Sequence, residues 1–254
     1  MLALLLSTRA LVFQGNPSPW LSSRIRFLSV SHQYEPSLHR SLFSSVPKRS
    51  KSLRDVDLDV SGLVRITGDS SSGKTTLLKL MMGDIRPLKG SVTLSSTGSC
   101  ARPIYLDSKP LFGNGEMDLL TYIRKQLLKD SCYEDETVVK VSGIFGFEAE
   151  ILRGTPVSRL SLSQLYCLRL VVASLQSCST TIDGKKQHVV GGPILLLDEW
   201  LDKETSTVIR QVQGYLEEAA FRGAIVCVVT HVPERWTRFH QKIVLRYGKV
   251  VMEE

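Results

Sequence analysis

The 254-residue sequence predicts an α/β fold on a largely parallel sheet covered on both faces. Three observations predict it. A glycine-framed loop at 68–76 lies between an apolar strand at 63–67 and an apolar helical run at 77–82. A wholly apolar run, Ile194, Leu195, Leu196 and Leu197, ends in Asp198 and Glu199. A third apolar strand, at 224–229, ends in Thr230 and His231. Strands that are apolar throughout and alternate with helices belong to a parallel sheet, because both of its faces are buried.

Taken in order, residues 1–52 are rich in serine and arginine and open on an apolar stretch at 1–6, interrupted by Arg9. They carry seven basic residues against the single acid Glu35, and so hold most of the formal charge of +7. That composition reads as an organellar transit peptide, mitochondrial with a plastid as the alternative, or else as an uncleaved extension. Arg26, Phe27, Leu28 and Ser29 resemble a mitochondrial processing site, with cleavage after Leu28. The remaining 53–254 is close to neutral, which gives no electrostatic case for a direct nucleic-acid partner. No apolar run approaches the ~20 residues of a membrane span. The five cysteines are scattered without a C-x-x-C pair, and read as buried apolar residues rather than a disulfide framework or zinc site.

Residues 55–60 alternate with period two, as a half-buried strand does. The 63–67 strand, the loop and its helix follow, with a stop at Gly83 and Pro87 beyond. Strands are predicted at 91–95 and 103–106, and more polar helices at 117–130 and 134–146. Leu165, Leu168, Val172 and Leu175 give 160–177 a helical period. The Ser/Gly/Lys-rich stretch 178–193 reads as an inserted surface loop. After the strand that ends at Asp198 come a helix over 203–221, the 224–229 strand, and two short strands flanking Gly248.

The loop comprises Gly68, Asp69, Ser70, Ser71, Ser72, Gly73, Lys74, Thr75 and Thr76. It is a complete phosphate-binding loop of the P-loop NTPase kind. Its glycines let successive N–H groups face one anion, and the following helix adds its positive end. Lys74 is expected on the β- and γ-phosphates of ATP, and the Thr75 hydroxyl on Mg2+. Asp198, at the carboxyl end of a buried strand, is placed to hold the metal, and Glu199 to polarise an attacking water. His231 emerges on the same edge, suited to contact the γ-phosphate.

In this order the elements resemble the nucleotide-binding domain of ATP-binding-cassette (ABC) proteins, over roughly residues 53–254. The loop and the acid-ended strand match the Walker A and B motifs, and Thr230 with His231 the switch histidine. Leu160, Ser161, Leu162, Ser163 and Gln164 resemble the family signature, usually LSGGQ. Asp202 resembles the D-loop residue. The resemblance implies a P-loop NTPase fold with a small antiparallel β part and a helical subdomain at about 113–177. It also implies two such domains closing head to tail around two Mg-ATP, with Ser161, Ser163, Gln164 and Asp202 at the nucleotide. The chain would be a stand-alone domain in a homo- or heterodimer, with a separate transmembrane subunit as its partner.

The sequence departs from the family in three places. Leu162 and Ser163 occupy the two glycine positions of the signature. Ser108 stands where the metal-contacting glutamine is expected, with a shorter reach to Mg2+ or its water. The segment between Glu199 and the D-loop is shorter by about three residues, with Trp200 filling it. The aromatic residue that stacks on adenine falls on Tyr34 or Phe43, both within the stretch read as leader. These departures predict tight ATP binding with slow turnover. A non-catalytic ATP-binding switch of the same fold and a P-loop kinase or DNA-repair ATPase are the alternative readings.

Overall fold

The computed structural model describes residues 23–34, 51–95, 103–108, 116–127, 135–177, 180–182, 185–187 and 193–252. In chain order they form β1 (Arg24–Gln33), β2 (Lys51–Val60), β3 (Leu63–Gly68), α1 (Lys74–Met82), β4 (Lys89–Ser95) and β5 (Ile104–Asp107). The helices α2 (Leu119–Gln126), α3 (Asp135–Ile144), α4 (Ala149–Gly154) and α5 (Leu162–Ser177) follow. Next are β6 (Thr180–Ile182), β7 (Lys185–Gln187), β8 (Ile194–Asp198), α6 (Ser206–Phe221), β9 (Ile225–Val229), β10 (Gln241–Arg246) and β11 (Lys249–Met252).

The six-stranded sheet has the order β11-β10-β3-β9-β8-β5. Every pair from β10 to β5 is parallel, and only β11 runs antiparallel. All five residues of β8 and of β9 are buried, which is why these stretches are apolar without alternation. Successive side chains still divide between two faces. Leu195 and Leu197 pack with Leu168, Val171, Ile209 and Leu216 of α5 and α6. Leu196 joins Leu77 and Leu78 of α1 and the second, three-stranded sheet. The α/β architecture expected from the sequence, with its antiparallel part and its group of helices at α2–α5, is what the chain adopts.

That second sheet corrects the leader. Its order is β2-β1-β4, all antiparallel, and its central strand is β1. Ile25, Phe27 and Val30 are buried in the core beside α1. The folded domain therefore includes residues from Ser23 and does not start at 53, and a cut after Leu28 would divide its central strand. The arginine-rich composition misled for a physical reason. Arg24 and Arg26 are the outward residues of an alternating strand, 3.7 and 3.1 Å from Asp59 of β2. A bulge at Ser29, with φ of 47°, then breaks the alternation between Phe27 and Val30. Residues 1–22 and 35–50, the rest of the proposed leader, lie outside the described residues.

The inserted loop is also revised in part, since β6 and β7 pair antiparallel. The β-branched run at 180–182 and the hairpin dipeptide Asp183-Gly184 are the sequence signals for such a pairing.

Candidate nucleotide-binding site

The phosphate loop starts where β3 ends, between its parallel neighbours β9 and β10. Two glycines are required there. A Cβ at Gly68 would lie 2.1 Å from the Leu245 carbonyl oxygen, and one at Gly73 2.4 Å from that of Ser52. Both have positive φ, 142° and 107°, so the chain can curl with β2 and β10 pressed against it. The Ser72 amide donates to the Asp69 carbonyl at 3.1 Å and closes the turn. Asp69, Ser70 and Ser71 are exposed; Ser72, Gly73, Lys74 and Thr76 are buried. From the first turn of α1, Lys74 Nζ reaches back over the loop, donating to the carbonyls of Gly68 at 2.8 Å and Asp69 at 3.0 Å.

β8 ends on the same edge, so its last residue meets the first turn of α1. Asp198 is 8% exposed, and its Oδ2 accepts from the Thr75 hydroxyl at 2.9 Å. A second hydroxyl, that of Tyr105 on β5, donates to the same oxygen at 2.6 Å. Burial first, and then the bond to Asp198, push the Tyr105 phenol far above its usual range, so it keeps its proton and acts as a donor. Asp198 Oδ1 and Ser72 Oγ are buried and have no partner. Buried polar atoms are normally satisfied, and a magnesium-bound phosphate would satisfy both. The residues present therefore fit Mg-ATP: a loop of amides and one lysine for phosphates, with one carboxylate and one hydroxyl for a hard cation.

Glu199 lies just past β8 with φ of 51°, its amide donating to the Val229 carbonyl at 3.0 Å. Its Oε1 is 2.7 Å from His231 Nε2, and both side chains are about half exposed. Asp202 holds this histidine in place. Its carboxylate accepts from the Thr230 hydroxyl at 2.6 Å and from the His231 amide at 2.7 Å. Arg235 in turn donates to the carbonyls of Asp202 and Glu204, at 3.3 and 3.0 Å. The expected acid and histidine are thus adjacent, and Asp202 is occupied within its own chain, fastening the His231 segment to the turn after β8.

The signature residues are engaged internally as well. Ser161 and Gln164 form a reciprocal cap at the start of α5: the Ser161 amide donates to Gln164 Oε1 at 2.9 Å, and the Gln164 amide to Ser161 Oγ at 3.3 Å. Ser163 donates its hydroxyl to Glu204, a buried carboxylate. Leu162 stands between them, 41% exposed.

Tyr34 arrives beside the site because β1 is part of the fold. Its hydroxyl is 3.4 Å from Thr76 Oγ1, and its ring meets His32 edge-on at 4.9 Å. At 43% exposure the ring is open to a base next to the phosphate loop. Phe43, the other candidate, lies outside the described residues. Ser108 presents its carbonyl to the Tyr166 hydroxyl at 3.3 Å, while Arg169 pairs with Asp107. The β5 side chain that reaches Asp198 is that of Tyr105, three residues before Ser108. Tyr105 and Glu204 are the two site residues that sequence reasoning missed. Neither carries a motif, and both act through contacts to another strand or helix.

No family model matches this chain. It is 25% identical over 188 residues to the cytochrome c biogenesis ATP-binding export protein CcmA of Pseudomonas syringae pv. syringae (strain B728a), spanning 70% of this chain and 79% of that protein. Its fold is similar to the dimeric form of MJ0796, a bacterial ABC transporter cassette, with a TM-score of 0.62, 18% identity and coverage of 91% and 97% of the two chains. MJ0796 bound to ADP and Pi in a post-hydrolysis state gives 0.60 at 17% identity and the same coverage.

Proposed function

We propose, from the premise that this chain is a nucleotide-binding domain of the ABC type, that it binds Mg-ATP and pairs with a second cassette around the nucleotide. Slow hydrolysis would then drive a separate membrane partner. The observation that carries this is the assembly on one sheet edge of Lys74, Thr75 and Asp198 for the phosphates and metal, with Glu199 2.7 Å from His231 beside them. Mg2+ bound there would neutralise charge on the phosphates. Within the chain, Lys74 and the loop amides orient the phosphates, Tyr34 is placed for the adenine, and Glu199 polarises a water held by His231. The relative's name, an ATP-binding export protein, supports a transport-associated role. Among the described residues no helix is long and apolar enough to cross a membrane, so that role calls for a membrane subunit.

A second reading, an ATP-binding switch without turnover, draws on the signature. Ser161 and Gln164 cap one another and Ser163 serves Glu204, so each already has a partner within its own chain.

The deciding measurement is the solution mass of the full chain carrying Glu199→Gln, by light scattering, with and without Mg-ATP. A shift from monomer to dimer on adding Mg-ATP supports the hydrolytic cassette. A monomer that binds ATP without pairing supports the switch, and absence of ATP binding rejects both.

For location we propose the mitochondrion, with the plastid as the alternative. Any cleaved leader must end before β1, hence within residues 1–22, which are apolar, hold Arg9 and lack acids. Fusing residues 1–22 to a fluorescent reporter tests this, and a diffuse cytosolic signal rejects it.

A further inference from the structure

We infer that Tyr105 is a positioning residue for the metal-binding carboxylate, anchoring one oxygen of Asp198 from β5 so that the other is left for the cation. The inference rests on the Mg-ATP reading of the site. Asp198 is buried, and its charge is met by two neutral hydroxyls, since Lys74 Nζ is turned to the loop carbonyls. Such a carboxylate is costly to bury unless a cation completes it. The two hydroxyl donors share one oxygen, Oδ2, and leave Oδ1 without a partner. The two oxygens are thereby made unequal: one is anchored and the other is left for the cation or its water.

Thr75 alone does not secure that arrangement, because its own oxygen is the expected metal ligand. A hydroxyl that ligates a cation through its lone pair and donates its proton to Asp198 serves two partners at once. Tyr105 has a single task. Its register explains how it performs it. Tyr105 pairs with Leu196 across the β5–β8 ladder and Asp107 with Asp198. Asp198 is thus the diagonal neighbour of Tyr105 on the same face, a span that a long aromatic side chain covers. The ring packs against the core on the α1 side, which fixes the hydroxyl. Groups that orient a metal's ligand tune the affinity for that metal without touching it.

The test compares Tyr105→Phe with its parent, both as the full chain carrying Glu199→Gln, by equilibrium dialysis of labelled ATP in chelator and across a magnesium titration. The expected result is metal-free ATP affinity within about twofold of the parent and a magnesium midpoint raised about tenfold. In an Asp198→Asn background the same substitution should change nothing further, since the bond is already altered. Thermal melting checks that the phenylalanine ring keeps the fold. An unchanged magnesium midpoint overturns the inference. So does an equal loss of ATP affinity with and without metal, which marks a general packing role. A parent that binds no ATP overturns the functional reading itself, and this inference with it.

Discussion

Ser163 donates its hydroxyl to the buried carboxylate of Glu204, which ties the first turn of α5 to the segment behind β8. The position where the family has a glycine thus holds a residue with a structural partner. Ser163→Gly should leave the acid with one donor fewer and lower stability by about 1–3 kcal/mol. Combined with Glu204→Gln, the losses should be less than additive, as residues in contact are. Urea unfolding of the two single variants and the double variant measures the coupling, and strict additivity would show that the contact contributes nothing.

Glu199→Gln should reduce ATP turnover by roughly 10²-fold or more while leaving ATP binding intact, if Glu199 is the base that polarises water. Single-turnover kinetics with labelled ATP separates the two effects. A variant that hydrolyses at the parental rate would remove Glu199 from the chemistry.

Lys74→Ala should act earlier, on binding. It removes the ammonium expected on the phosphates and also the donor to the Gly68 and Asp69 carbonyls. ATP affinity should fall by at least tenfold, measured by the same dialysis. An unchanged affinity would place the phosphates elsewhere.

Asp202→Ala breaks the bonds to the Thr230 hydroxyl and the His231 amide, which fasten the His231 segment to the turn after β8. The expected outcome is hydrolysis slowed about tenfold, with ATP affinity within about twofold of the parent. Loss of both together would assign Asp202 to binding.

The thiol of Cys227 is pushed up to about 12 by burial, and that of Cys167 to about 11, again mainly by burial. In the unfolded chain both return to the ordinary thiol range, so the unfolded state loses these protons first as pH rises. Stability from this source is complete below about pH 9 and declines between there and pH 12. At pH 8 iodoacetamide should modify Cys227 only when the chain unfolds, a difference read by site-mapped mass spectrometry. Modification of the native protein would contradict the burial.

β1 allows a direct check of the domain limit. Phe27→Ala should cost about 3–5 kcal/mol, as for any buried aromatic side chain, a loss read by urea unfolding. A chain starting at Ser29 should fail to fold cooperatively.

The parts of the site that were legible in the sequence share one property: each is made by consecutive residues. The phosphate loop, the acid pair Asp198 and Glu199, and the Thr230-His231 step all follow an apolar strand. A parallel sheet delivers the ends of its strands to one edge, so order along the chain implied nearness in space. Asp202 and Ser161 were legible only through the resemblance of their segments to family motifs, and their hydrogen bonds were not legible at all. β1 was hidden because an outward arginine on a strand and an arginine in a targeting leader look alike until the residue opposite, Asp59, is known.

The α/β class, the phosphate loop and the acids and histidine around it could be read from the order of residues, because local glycine geometry and runs of apolar residues are encoded by neighbours. Only the folded arrangement shows that the Tyr105 hydroxyl reaches Asp198, that Ser163 answers to Glu204, and that residues 24–33 belong to the core. Each of these depends on strand register or on the approach of a helix, and burial selects one such pairing over the many that the same residues could make.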